Sequence, residues 1–161
     1  MEQFKKVRGI AQDLDVAKVT IRGVPDRPGI AVSIFDPLAE AHISVDTIVQ
    51  NAGVEQLTDV TFTVSRKDLH KVMPIVQEAS RKIGAAEVVT DDKLGKVSVV
   101  GTGMTTAPGY ASRMFRTLFE EGINIDMIST SEIRITCIIS ESQVPEAVRA
   151  LHRAFELDEE E

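Results

Sequence analysis

The segment "DRPGIA" at residues 26–31 predicts a turn that leads directly into a helix, and "TTAPGYA" at residues 105–111 predicts the same turn again. Proline fixes the backbone at such a bend, and glycine adopts the left-handed conformation that bends often require. Two matching strand-to-helix corners in a chain of 161 residues indicate an internal repeat.

The sequence around the two corners confirms this interpretation. Residues 17–51 align with residues 95–131 when the second repeat is allowed two extra residues in its loop. The matched positions are turn residues and apolar residues at core spacing: Gly23 with Gly101, Pro28 with Pro108, Gly29 with Gly109, Phe35 with Phe115, Leu38 with Leu118, Ile43 with Ile123 and Asp46 with Asp126. The chain therefore contains two repeats of one unit.

Each repeat predicts the order β-α-β-β-α-β. In the first repeat, "KVTIRG" (18–23) alternates like a strand, and apolar residues at helical spacing follow the corner. Strands are predicted at 43–51, 57–64 and 85–90, with a second helix over 69–79. The second repeat follows the same course, with "NIDMIST" (124–130) as its second strand. The predicted fold class is α+β, with two ferredoxin-like βαββαβ modules.

The second repeat lacks its fourth strand, because only an acidic tail (157–161) follows Phe155. A strand-like segment, "KKVRGIA" (5–11), precedes the first repeat. We expect this N-terminal strand to complete the second sheet, since an open edge would otherwise remain. The two modules would then be interlocked, with domains at 17–92 and at 93–156 plus 5–11.

Composition narrows the function classes. The net charge of −7 disfavours nucleic acid as a partner, and no apolar run is long enough to span a membrane. The first residues show no apolar export segment, so a cytoplasmic location is expected. The single cysteine, Cys137, is expected to be a small buried hydrophobe.

Motifs for catalysis are not apparent. "GTGM" (101–104) lacks the third glycine of a dinucleotide loop, and no Cys/His spacing suggests zinc. His42, His70 and His152 fall among charged residues and are expected at the surface. We therefore expect no catalytic residues, no metal and no cofactor.

The first corner can nevertheless bind a ligand. A helix that begins at Gly29 has unpaired N–H groups and a partial positive charge, which suit an anion such as a carboxylate. Asp26 has two interpretations at this stage: it binds an ammonium group, or it caps the helix.

Both repeats resemble ACT domains, the amino-acid-sensing modules that carry a D-x-P-G corner. "VQNAG" (49–53), "TDVTFTV" (58–64) and above all "NIDMISTSEIRI" (124–135) resemble the tandem ACT pair at the C-terminus of aspartokinases. The aspartokinase catalytic domain is missing from this sequence. The resemblance implies a separately made regulatory β subunit, and a cloned regulatory fragment would look identical.

The resemblance also implies an effector site between ACT domains of two chains. Its residues on one side would be Asp26, Gly29, Ile30, Ala31, Gln50 and Asn51. Asn124, Ile125 and Asp126 would present backbone groups from the other side, and Thr61 would close the pocket. A second, different or vestigial site would involve Met104, Pro108, Gly109, Ser129, Ser131 and Glu132, although its corner has no aspartate and has the bulky Tyr110.

Feedback control of aspartate kinase is the function that the resemblance implies. Threonine is the expected effector, with lysine or both together as the alternative, and the number of bound ligands stays open. The expected partners are a second copy in a homodimer and the catalytic alpha subunit in an α2β2 assembly. Two other classes stay open: an ACT-pair sensor that acts on another enzyme or regulator, and a small ferredoxin-like enzyme, for which no acid–base pair is found.

Overall fold

The computed structural model describes residues 6–51, 55–104 and 108–157, and the chain forms two compact units. Residues 15–92 form the first module, and residues 1–14 with 93–161 form the second module. Lys5 of the predicted N-terminal strand, Thr106 and Ala107 of the second corner and most of the acidic tail (158–161) lie outside the described residues.

Every predicted helix and strand has a counterpart. The first module contains β2 (Ala17–Pro25), α1 (Ile30–Glu40), β3 (Ile48–Gln50), β4 (Leu57–Val64), α2 (Leu69–Ile83) and β5 (Glu87–Asp91). The second module contains β1 (Val7–Asp13), β6 (Leu94–Gly101), α3 (Tyr110–Glu120), β7 (Met127–Thr130), β8 (Arg134–Ser140) and α4 (Val144–Ala154). Short 3₁₀ turns, Arg66–Asp68 and Glu141–Gln143, precede α2 and α4.

The N-terminal strand completes the second sheet, as predicted. The first module has the strand order β3-β4-β2-β5 and the second has β1-β6-β8-β7, with all neighbours antiparallel. β1 therefore takes the place in the second sheet that β5 takes in the first. It lies at 7–13 rather than 5–11, because its register with β6 continues to the pair Asp13 and Lys96. The α+β class with two interlocked ferredoxin-like modules is confirmed.

Two predicted strands are shorter than the sequence suggests. The prediction of a strand over 43–51 is wrong for its first half, since β3 begins at Ile48. The chain leaves α1 through a left-handed residue, His42, and the amide of Ile43 still donates to the carbonyl of Leu38. In the same way, β7 covers only the second half of 124–130. The first residues after α1 and α3 close the helix ends, and hydrogen bonds to the neighbouring strands begin only at Asp46 and Asp126.

Each module has its own apolar core between its sheet and its two helices. Val19 and Ile21 of β2 and Leu38 of α1 are completely buried. Each such side chain contributes roughly 1.5–3 kcal/mol of burial free energy. Cys137 is a buried free thiol, and burial raises its pKa to about 12, so it behaves as the apolar residue that the sequence predicts.

In each module the two helices pack on different strands of the sheet. In the first module α2 contacts β2 and β5, whereas Phe35 of α1 packs edge-on against Phe62 of β4, with ring centroids 5.3 Å apart. In the second module α4 contacts β1 and β6, and Met114 of α3 contacts Cys137 of β8. Consequently α1 lies towards the β3 edge and α3 towards the β7 edge.

Within residues 6–51, 55–104 and 108–157, no helix combines the length and the apolar character that crossing a bilayer requires.

Candidate functional site

The first corner is open above Gly29. This residue has φ 91° and ψ −10° and is the N-cap of α1. A side chain other than glycine would be strained there. A Cβ built on Gly29 would meet no atom within 4 Å, so the backbone faces free space. Glycine is required here for conformation, and the same geometry lets a ligand approach the main chain.

The amides at the start of α1 are not capped by a side chain. The first helical hydrogen bond runs from the amide of Ser33 to the carbonyl of Gly29, at 3.0 Å. The N–H groups of Ala31 and Val32 precede that bond and point out of the helix end. An anion at this position would receive their hydrogen bonds and the favourable end of the helix dipole.

Asp26 is positioned by its backbone and exposes its carboxylate. Its amide donates to the carbonyl of Gln56 at 2.8 Å, which ties the corner to the start of β4. The side chain is exposed and has no hydrogen-bond or ion-pair partner in the part of the chain that the structure describes. The alternative that Asp26 caps the helix is wrong, since Gly29 is the N-cap. The carboxylate is therefore available to an ammonium group.

Gln50 and Asn51 lie at the same end of the sheet as the corner. Gln50 is in register with Val60, three residues along β4 from the pair that Leu57 forms with Pro25. Both amide side chains are exposed. Ala31 is also exposed, but the Ile30 side chain is buried in the core. Ile30 can therefore offer a ligand only its backbone.

The structure does not bring Thr61 to the corner. Thr61 is in register with Thr20, and the two hydroxyls hydrogen-bond at 3.1 Å. It follows Val60, the register partner of Gln50, by one residue on β4. Its neighbours Val60 and Phe62 face the core, so Thr61 faces the opposite side of the sheet.

Asn124 and Ile125 line a cleft of about 420 Å³ in the second module, together with Phe115 and Phe119. Asp126 follows them, and its amide already donates to the carbonyl of Ile138 at 2.8 Å. That N–H group is therefore occupied within the module and is not available to a ligand. Asn124 and Asp126 are exposed, and Ile125 is half-buried.

The second corner repeats the backbone of the first but not its chemistry. Gly109 has φ 102° and is the N-cap of α3. Tyr110, which occupies the place of Ile30, is only 2% exposed. Its hydroxyl accepts a hydrogen bond from the amide of Lys6 at 3.3 Å, just before β1. Tyr110 thus anchors the N-terminal strand. The sign of this role in the sequence is that a bulky residue takes the place of Ile30 in the repeat that lacks its fourth strand.

The other residues predicted for a second site are spread over the module. Met104 is buried in the core, and Ser129 is in register with Thr136 inside the sheet. Ser131 and the exposed Glu132 form the turn between β7 and β8. The amide of Gly101 donates to the carbonyl of Ile133 at 2.8 Å and ties this turn to the end of β6. Pro108 and Gly109 are exposed residues of the corner itself.

This fold with its two glycine corners defines a class of protein. Residues 19–81 and residues 97–155 each match a family of ACT domains. The chain is therefore a tandem pair of ACT domains, in which the second depends on the N-terminal strand.

Similar proteins identify the family more closely. An aspartate kinase from Pseudomonas fluorescens is 53% identical over 152 residues, which are 94% of this chain and 37% of that protein. A chain from the crystal structure of aspartokinase alpha and beta subunits is 48% identical, with a TM-score of 0.87 over 93% of this chain and 99% of that chain. The ligand-free regulatory subunit of aspartate kinase from Thermus thermophilus is 37% identical, with a TM-score of 0.89 and the same coverage.

The chain belongs to the aspartate kinase family and corresponds to its regulatory ACT-domain segment. It spans about a third of the length of the curated aspartate kinases that it matches, 37% in the Pseudomonas fluorescens protein.

Proposed function

We propose that this chain is a regulatory subunit of aspartate kinase and that it binds a free amino acid at the first corner. The observation that supports this most strongly is that one corner carries both the uncapped amides of Ala31 and Val32 and the exposed carboxylate of Asp26. A free amino acid carries both a carboxylate and an ammonium group. The amides would bind the first, and Asp26 the second.

The exposed sheet edges support a site between two copies of the chain. β3 and β7 are edge strands, and Ile48 and Ile128, one on each strand, are about half exposed. An open edge with apolar side chains readily pairs with another chain. In this proposal the corner with Gln50 and Asn51 of one copy meets Asn124 and Ile125 of the other.

Threonine is the effector that we propose first, and lysine, alone or together with threonine, second. The amide side chains of Gln50 and Asn51 can hydrogen-bond a hydroxyl group such as that of threonine. The position of Thr61 on the far face of the sheet gives threonine no additional support. Asp26 would serve equally well for the side-chain ammonium of lysine.

The regulatory effect requires two states of the assembly. An effector that binds the inhibited arrangement more tightly shifts the population towards it, and couplings of about 1–3 kcal/mol are typical. The similarity to a chain in a structure of aspartokinase alpha and beta subunits supports a catalytic alpha subunit as the partner, in an α2β2 assembly. The chain would then provide feedback control in the cytoplasm, at the first step from aspartate to lysine, threonine and methionine.

Asp26→Ala tests the site directly. Loss of one charge-assisted hydrogen bond should weaken threonine binding by about tenfold to a hundredfold in titration calorimetry. The control Asp92→Ala removes an exposed carboxylate between β5 and β6 and should leave affinity unchanged. Equal affinities of the Asp26→Ala variant and the parent chain, for threonine and for lysine, would exclude the proposed role of Asp26.

A further inference from the structure

The two helices beside the sheet edges each present an exposed row of three side chains. On α1 the row is Val32, Asp36 and Ala39, and on α3 it is Ser112, Arg116 and Phe119. Both rows have the spacing i, i+4, i+7, which places their members on one helix face. The repeat alignment makes the two rows equivalent, position by position, because Gly29 matches Gly109.

Both rows contain an apolar side chain that is left in solvent. Phe119 is 74% exposed and Val32 is 58% exposed. Phe119 also borders a cleft of about 430 Å³, whose other walls are Ser112, Phe115 and Arg116. A large aromatic side chain beside a cleft is typical of a surface that another protein covers.

The centres of the two rows carry opposite charges. Asp36 and Arg116 occupy the same position of the repeat, and neither has an ion-pair or hydrogen-bond partner among residues 6–51, 55–104 and 108–157. The acidic centre belongs only to the first module and the basic centre only to the second. The charge of the α1 face is therefore complementary to that of the α3 face, whereas each face would meet a like charge in a second copy of itself.

We propose that Asp36 and Arg116 determine which modules pair when two copies of the chain associate. This inference rests on the association of copies in the proposed function. α1 of one copy lies antiparallel against α3 of the second copy, with Asp36 facing the second copy's Arg116. Val32 then meets the second copy's Phe119, and Ala39 meets Ser112.

Symmetry explains why the charges select one arrangement. When a helix packs against its own copy around a two-fold axis, the centre of the helix faces the centre of its copy. Pairing of like modules would place Asp36 against Asp36 and Arg116 against Arg116. Like charges in an interface cost several kcal/mol, whereas opposite charges favour the correct partner. The unlike pairing also occurs twice per dimer, so its preference is doubled.

The test measures the dimer dissociation constant by sedimentation equilibrium for D36R, R116D and the double variant D36R/R116D. Each single variant should dissociate at least about tenfold more readily, because both contacts become repulsive. The double variant should recover the parent constant, since it restores both contacts with the charges exchanged. An equimolar mixture of the single variants should also recover it, because each heterodimer contact then joins Arg to Asp.

Two controls separate this effect from general charge effects. Lys71→Glu changes the net charge as much as R116D does, on the exposed face of α2, and should leave the constant unchanged. In about 1 M sodium chloride, where the screening length is about 3 Å, the defect of the single variants should shrink.

Unchanged dissociation of D36R and R116D would overturn the inference, and so would a double variant as weak as the single ones. Neither result would affect threonine binding by a dimer. A parent chain that stays monomeric with and without threonine would instead remove the association of copies from the proposed function, and this inference with it.

Discussion

At the scale of single residues, Asp15 fixes the position of the segment that leads into β2 of the first module. Its carboxylate accepts hydrogen bonds from the hydroxyl of Ser65, at 2.7 and 2.6 Å, and from the amide of Arg66, at 2.9 Å. The side chain of Arg66 donates in turn to the carbonyl of Val16 at 3.2 Å. These bonds fix the segment before β2 to the turn before α2. The Ser65 hydroxyl, with help from the Arg66 amide, holds the pKa of Asp15 below its usual value.

Asp15→Asn should therefore destabilise the first module at neutral pH, by roughly 0.5–1 kcal/mol because the carboxylate is exposed. A lowered folded pKa contributes stability above the unfolded pKa of about 3.9, and that stability is lost as the pH falls through the folded pKa. The difference between Asp15→Asn and the parent should accordingly disappear in acid. Urea unfolding from neutral to acidic pH measures it, with the exposed Asp92→Asn as the control. A difference that persists in acid would contradict the role of the ionised carboxylate.

The residues of the site show what sequence can and cannot predict at this scale. The glycine corners follow from the sequence, because Pro-Gly dictates backbone conformation locally. The displacement of Thr61 from the corner does not follow, since it depends on the register between β2 and β4. The anchoring bond of Tyr110 joins residues 104 positions apart, and no local pattern encodes it.

At the scale of elements, β1 is the least conventional part of the fold, because it crosses to a sheet whose other strands come from the second repeat. It pairs with β6 from the position of Gly101 onwards. A Cβ on Gly101 would overlap the carbonyl oxygen of Lys6. Glycine at this position lets the two backbones approach closely.

Gly101→Ala should push β1 away and destabilise the second module by about 1–3 kcal/mol. The reaction of Cys137 with a thiol reagent measures this, because the buried thiol reacts only when the second module opens. The rate should rise by about fivefold to 150-fold, following the change in opening free energy. Gly9→Ala is the matched control on β1, where an added Cβ has no neighbour within 4 Å. Equal reaction rates of the two variants would show that β1 is not essential to the second module.

Helices and strands differed in how well the sequence predicted them. Apolar periodicity located α1 and α2, because each buries one face against a sheet, but α2 continues to Ile83, four residues beyond the predicted end at 79. The predictions for β3 and β7 were too long, since apolar residues after a helix can fill the core without joining the sheet. Ile43, within the predicted β3, and Ile125, within the predicted β7, do this in the two modules.

At the scale of the whole molecule, the repeat determined most of what could be predicted. The second repeat lacks one strand, and the chain has one additional strand before the first repeat. The simplest arrangement places this strand in the second sheet, and the chain adopts it. The site was less predictable, because we propose that a second copy of the chain supplies part of it. A sequence specifies the surfaces of one molecule, and only their charge and shape indicate the partner.

The central claim is that the backbone at the Gly29 corner binds the carboxylate of a free amino acid between two copies of the chain. A crystal structure grown with saturating threonine tests it most directly, with a parallel crystal grown with lysine. We predict a carboxylate within about 2.7–3.2 Å of the amides of Ala31 and Val32, with its ammonium group at Asp26. An empty corner in both crystals, or an amino acid bound only elsewhere, would contradict the claim.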